Sequence, residues 1–280
     1  MLSIIVSWRD RDELGRALPS LRQAARAVGG DLTVVNFSGS AARLAPMLGE
    51  PGPDLHVVTV ADQRYFNKAA AQNMGAAHAR HPVLFFCDCD IVLEAGLVEG
   101  LARRLHEQPG QFATLAGVRE SETNARGARH VVSFGYELNI RTADGRHLRI
   151  VDNEEDGNDG TRQAPGLLLV RRADFMSIDG YNSDLHGWGW EDQDMISRLT
   201  LGAGLRRVSE GYAIHLSHDD HARTAHYPYV ASRWESRDRM FRQALANYDD
   251  ANFQGSYRRD TGNLMPHASL ASGGAASLTG

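Results

Sequence analysis

The sequence predicts an α/β domain with a mostly parallel central sheet and helices on both faces. Apolar runs of strand length alternate with helix-period segments from Leu2 to Cys87, the pattern of strands joined by helical crossovers. The chain has 280 residues, 42% hydrophobic and 23% charged, which is ordinary globular composition and long enough for a sizeable core. No apolar run approaches the roughly 18 residues of a membrane span.

The elements follow in order. Residues 2–8 form an apolar run, and after the polar segment 9–13 the residues Leu14, Leu18, Leu21 and Ala25 recur near helical spacing, so a strand passes into a helix. The alternation continues with a strand at 32–37, a helix at 41–48, a strand at 55–60, a helix at 67–79 and a strand at 83–87. Beyond Ala95 a helix is predicted to about His106, then a strand at 112–118. Residues 120–163 are polar without clear periodicity, and elements resume with a strand at 166–171, a helix at 191–201, a strand at 212–217 and a helix at 229–248. The segment from 261 onward is rich in Gly, Ala and Ser and reads as a flexible tail.

The net charge of −5 and the lack of a basic run exclude an electrostatic footprint for nucleic acid. No basic segment precedes the apolar stretch at residues 2–6 and no small-residue cleavage site follows it, so no secretory signal is visible and a cytoplasmic location is expected. Cys87 and Cys89 lie two apart on a strand pattern, a geometry poorly suited to bridging each other.

In a parallel α/β sheet, ligands bind outside the carboxyl ends of the strands, and the segments at 8–11, 36–38 and 88–90 all follow predicted strands. Asp88 and Asp90, at i and i+2 after an apolar strand, can aim at one hard divalent cation that neutralises a diphosphate. Gly187-Trp188-Gly189-Trp190 leads into Glu191 and Asp192 at a helix start. Acids there suit the helix dipole, yet Trp faces also stack on sugar rings and a carboxylate can take a hydroxyl proton. His215 and His218, where a strand gives way to a loop, can complete the cation shell begun by Asp90. Asn36 either hydrogen-bonds a ligand or serves the turn. Residues 152–160 have the acid spacing of an EF-hand loop, but Gln163 stands where the bidentate Glu belongs, so a surface loop is the plainer account.

Taken together these segments resemble the beta-1,4-galactosyltransferases, from Ile4 to about His218. Residues 4–14, with Trp8, Arg9 and Arg11, are similar to that family's first strand and its nucleotide-contacting loop. Phe66-Asn67-Lys68-Ala69 resembles a Phe-Asn-Arg-Ala helix start, which places the only lysine, Lys68, where a uridine-contacting arginine is expected. Asp88-Cys89-Asp90 matches an Asp-Val-Asp, residues 187–194 match a Trp-Gly-Gly-Glu-Asp-Asp-Asp block, and His215 and His218 match a Met-x-x-His pair.

The resemblance implies a GT-A (Rossmann-like) fold in which residues 1–118 form the nucleotide-sugar-binding half and 119–260 the acceptor-binding, catalytic half, with 261–280 as the tail. It implies an inverting transferase that moves galactose or a related hexose or N-acetylhexosamine from a UDP-sugar to a carbohydrate or glycoconjugate hydroxyl. Manganese, or magnesium in its place, would be held by Asp90, His215 and His218. Donor contacts fall to Trp8, Arg9, Arg11, Asn36, Phe66, Lys68 and Asp88, and acceptor contacts to Trp188, Trp190, Glu191 and Asp192. Asp192 is the implied general base, with Glu191 beside it. Gln193 in place of an acid and Trp190 in place of a glycine depart from the family at the acceptor side, and Ala164-Pro165-Gly166 departs near the donor sugar. Two readings compete. Asp88-Cys89-Asp90-Ile91-Val92 also resembles the nucleophile motif of haloacid-dehalogenase-type phosphohydrolases, although that motif usually opens the first strand. A non-catalytic glycan- or nucleotide-binding relative is the other, and intact acids and histidines argue against it.

Overall fold

The computed structural model describes residues 1–50, 52–122 and 130–267. Its elements run β1 (Leu2–Trp8), α1 (Leu14–Ala27), β2 (Asp31–Phe37), α2 (Ala41–Leu44), β3 (Leu55–Val60), α3 (Lys68–His78), β4 (Val83–Asp88), β5 (Ile91–Val92), α4 (Leu97–Glu107), β6 (Gln111–Thr114) and β7 (Gly117–Glu120). They continue as β8 (Gly135–Arg141), β9 (His147–Asn153), β10 (Thr161–Arg162), β11 (Leu168–Arg171), α5 (Arg172–Ser177), α6 (Glu191–Ser197), β12 (Arg206–Ser209), β13 (Tyr212–His215), α7 (Asp220–Thr224), α8 (Arg233–Asp249), α9 (Tyr257–Asn263) and β14 (Pro266–His267).

The central sheet has the order β12-β6-β11-β4-β1-β2-β3-β14. Strands β4, β1, β2 and β3 form its parallel block, while β11 and β14 run antiparallel to their neighbours. The period of two along β1 explains why the sheet needs helices on both sides. Leu2, Ile4, Val6 and Trp8 enter one core with Leu14, Leu18 and Leu21 of α1 and Leu101 and Leu105 of α4. Ile5 faces the other core, with Ala70 and Met74 of α3, Phe86, Phe175, Met195 of α6 and Met240 of α8.

A smaller sheet, β10-β7-β13-β5, lies beyond the carboxyl end of β4 and carries one wall of the site. The predicted strand at 112–118 is in fact two strands that belong to different sheets, β6 in the large one and β7 in the small one. The boundary at 118/119 therefore falls within β7.

The polar stretch 120–163 contains an unpredicted hairpin, β8 with β9, paired from Gly135↔Asn153 to Arg141↔His147. Strand β12 and helix α5 were also unpredicted. Helix α6 passes into a π-helical turn at Arg198–Gly202, where buried Arg198 bonds Asp194 at 2.7 Å and the Gly180 carbonyl at 2.5 Å. Thr261–Asn263 belong to α9 and β14 pairs with β3, which corrects the tail boundary drawn at 261; residues 268–280 lie outside the described ones. Cys87 and Cys89 are buried and free.

Candidate active site

A cavity of about 470 Å³ opens where β1 and β4 end, between the small sheet and the start of α6. That volume lies within the usual range for a small-molecule site, roughly 300–1,000 Å³. Its lining includes Arg9, Arg11, Phe66, Lys68, Asp88, Asp90, Trp188, Trp190, Glu191, Asp192, His215 and His218.

One wall is assembled by backbone pairing. β13 runs antiparallel to β5 with His215 opposite Ile91, and Leu216 donates its N–H to the Asp90 carbonyl at 2.8 Å. Asp90 immediately precedes β5, so the ladder sets its carboxylate beside the imidazoles: Asp90 Oδ2 lies 3.5 Å from His215 Nε2 and 3.2 Å from His218 Nε2. The three offer ligand atoms all within 4.8 Å of one another, the one such metal-ligand cluster among the described residues. Asp90 Oδ1 is buried without a hydrogen-bond partner. A carboxylate oxygen and two imidazole nitrogens, with one further oxygen free to ligate, fit a divalent cation. Burial works to raise the Asp90 pKa, but hydrogen bonds to His215 and His218 and the charges of His215 and Arg11 overcome it, holding the carboxyl well below the usual range.

The facing wall is built on helix starts. Asn67 caps α3 by accepting the Ala70 N–H, which leaves Lys68 as the first helical residue with its ammonium directed into the cavity. Lys68 Nζ lies 2.8 Å from Asp88 Oδ1, 2.8 Å from Asp192 Oδ2 and 3.8 Å from Glu191 Oε1. Gly166 permits this approach, because a Cβ there would come within 2.6 Å of Asp192 Oδ2 and 3.1 Å of Lys68 Nζ. Desolvation lowers the Lys68 pKa, but Asp192, Asp88 and Glu191 outweigh it and hold the ammonium charged. Burial, then the charge of Asp192, pushes Glu191 up to about 8 against the opposing Lys68 charge. Asp192 is raised by burial too, with Lys68 opposing. Glu191 Oε2 and Asp192 Oδ1 are buried and unpartnered.

Trp190 sits at φ +72°, the left-handed region that suits glycine, so the departure noted at this position carries backbone strain of about 1 kcal/mol or more. Its ring packs on Phe241 with centroids 4.6 Å apart, while its indole N–H has no partner. Trp188 lines the cavity, with the Arg233 guanidinium 5.6 Å from its ring centre.

Two expected site residues are corrected. Trp8 is wholly buried in the core and its Nε1 donates to the Arg11 carbonyl at 2.7 Å. Asn36 is buried too, its Oδ1 accepting the Gly39 N–H at 2.8 Å, so it serves the turn. The cavity lining contains neither. Arg9 lines the cavity with hydrogen bonds to the Gln63 and Arg64 carbonyls, and Arg11 bonds Glu13 and Asp90 Oδ2. Lys68 meets the acids as described, and Phe66 stacks edge-on against Phe37 and Tyr227.

The acids at 152–160 do not gather about a calcium site. Asp152 pairs with Arg237, Glu154 with Arg233, and Asp156 and Asp159 accept hydrogen bonds from their own loop. Sequence reasoning missed Glu120, Arg162, Arg223 and Tyr227, all of which line the cavity. Arg162 and Arg223 lie in elements of two and five residues and Tyr227 in a loop, too short to give a periodic signal, but Glu120 stands where a strand ends, the same signal that marked Asp90 and His215.

Comparison with known proteins agrees with this architecture. A family model described as glycosyl transferase family 2 matches residues 40–163, and one described as the N-terminal domain of galactosyltransferase matches residues 149–219. No curated protein matches in sequence. Among solved structures the chain is similar to GalNAc-T7 crystallised with UDP, GalNAc and Mn2+, at 14% identity and TM-score 0.60, covering 97% of this chain and 52% of that one. The Pyrobaculum calidifontis mannosyltransferase PcManGT with GDP-Man and Mn2+ matches at 15% identity and TM-score 0.54, covering 89% and 64%. Residues 1–349 of S. aureus TarS match at 15% identity and TM-score 0.50, covering 77% and 60%. The chain thus spans about half the length of GalNAc-T7 and under two thirds of the other two. At these identities the likeness establishes the fold.

Proposed function

We propose a metal-dependent sugar transfer for this chain, which carries a GT-A glycosyltransferase domain that is galactosyltransferase-like over residues 149–219. The donor is a UDP-sugar, the acceptor a carbohydrate hydroxyl, and the anomeric centre is inverted. The observation that carries this reading is the pairing of two walls in one cavity, the Asp90, His215 and His218 cluster on one side and the Lys68, Glu191 and Asp192 cluster on the other. Two of the similar structures hold a nucleotide and Mn2+, which supports a nucleotide-diphosphate donor with manganese ahead of magnesium. The likeness of Arg9, Arg11, Phe66 and Lys68 to galactosyltransferase segments favours uridine.

Asp90, His215 and His218 would hold the divalent cation, which when bound would supply positive charge to the diphosphate leaving group. Asp192 has the Lys68 ammonium at 2.8 Å, a partner that favours its anion, so it is the acid that accepts the proton of the acceptor hydroxyl. The freed acceptor oxygen attacks the anomeric carbon while the bond from that carbon to the diphosphate oxygen breaks, and UDP departs with the electron pair. Glu191 keeps its proton near neutral pH and donates a hydrogen bond to the acceptor. Trp188 offers a ring to the sugar and Trp190 its indole N–H.

A panel of UDP-sugars, with GDP-mannose alongside, assayed for nucleotide release with and without Mn2+ tests this. Mn2+-dependent release of UDP from at least one donor is expected. Release that is indifferent to chelator, or confined to simple phosphoesters, would overturn it.

A further inference from the structure

We infer that Glu120 is a positioning residue for the cation site, orienting His215 so that its Nε2 faces Asp90; this rests on the cation reading above. β7 runs parallel to β13 with Glu120 in register with His215, so the two side chains meet across the ladder. Glu120 Oε2 lies 2.7 Å from His215 Nδ1 and accepts the Ser217 hydroxyl at 2.8 Å, while Oε1 accepts Arg162 Nε at 2.7 Å. Both carboxylate oxygens are thereby engaged, which holds the orientation of the group.

A carboxylate with a side chain only 1% exposed is costly, and an apolar residue would fill a strand position at lower cost. What the charge does here is fix the imidazole. With Nδ1 committed to Glu120, Nε2 is the nitrogen left to ligate, and an anionic partner makes it a stronger ligand. His218 is set differently, its Nδ1 lying 3.0 Å from the Asp219 carbonyl, so the two imidazoles present the same nitrogen by separate means. The sequence marks Glu120 only as an acid at a strand end; its pairing with His215, 95 residues away, is not legible there.

Calorimetric titration of the metal-free chain with Mn2+ tests the role. Glu120→Gln keeps the shape and removes the charge, and is expected to weaken Mn2+ binding about 10- to 100-fold. Glu120→Asp keeps the charge but withdraws it by one methylene, and is also expected to bind more weakly. Ser217→Ala, at a residue beyond the end of β13, is expected to give a smaller loss and holds the test open if the first variant does not fold. In histidine 15N spectra of the magnesium-saturated chain, His215 is expected as the Nδ1–H tautomer, with that signature lost in Glu120→Gln. Affinity within about twofold of the unsubstituted chain in all three variants would overturn the role of Glu120 alone. Failure of the unsubstituted chain to bind Mn2+ would instead overturn the cation reading, and this inference with it.

Discussion

The two walls of the cavity use the same side-chain chemistry to opposite ends. Asp90 and Glu191 are both carboxylic acids, both buried, and both face the same space. Asp90 has two imidazoles and a guanidinium within 3.5 Å and is held well below the ordinary range. Glu191 has an anionic neighbour and an ammonium no nearer than 3.8 Å, and is pushed up to about 8. Burial raises both, so partners decide the outcome, and one wall keeps a fixed anion while the other keeps a proton to share.

The largest effect that would sharpen this contrast is expected from Asp90→Ala. Removing a direct ligand should weaken Mn2+ and donor binding together by more than about 100-fold, beyond the loss for a residue that only orients a ligand. Parallel calorimetry with Mn2+ and with UDP checks it. Unchanged Mn2+ affinity would take the cation away from this wall.

Asp192→Asn should leave donor binding intact and cut transfer by about 10²- to 10⁴-fold, the usual worth of a general base. Single-turnover rates at saturating donor measure it. If donor affinity fell in step with the rate, the acid would belong to donor binding.

The contrast also marks what the sequence makes legible. The alternating elements through β4 and the cluster of Asp90 with both histidines can be read because apolar runs and acids at strand ends are local signals. The hairpin β8–β9 is easily missed because only Ile140, Leu148 and Ile150 of its two strands are buried, so its alternation is short and weak. Its one clear mark is Asp144-Gly145, a turn dipeptide between short alternating runs. The bridging place of Lys68 is equally invisible, since Asp192 lies 124 residues away. Trp8 and Asn36 follow a strand as a site residue would, yet their side chains point into the core and the turn.

Lys68→Met should have a smaller effect than either acid variant, about 10-fold on transfer at neutral pH and partly recovered at higher pH. Without the ammonium both acids of this wall titrate higher, so more base is protonated at a given pH. Mn2+ affinity on the opposite wall should not move, and a joint loss would show that the walls are not separable.

Glu191→Gln is expected to change the rate least at neutral pH, because the amide resembles the protonated acid. The sign follows from the raised pKa. Transfer in the unsubstituted chain should fall as pH rises through about 8, where Glu191 loses its proton beside Asp192. The variant should lose that alkaline limb in a pH profile of kcat/KM. Stability follows the same linkage: the folded chain binds the extra proton between 4.5 and about 8, so stability should decline as pH rises across that window, and less so in the variant.

The most direct test of the account is the position of the cation itself. Anomalous scattering from crystals grown with Mn2+ and UDP should show one strong peak bounded by Asp90, His215 and His218, with the nucleotide in the same cavity. A bound nucleotide with no peak there, or with Mn2+ held among the acids of residues 152–159, would contradict it.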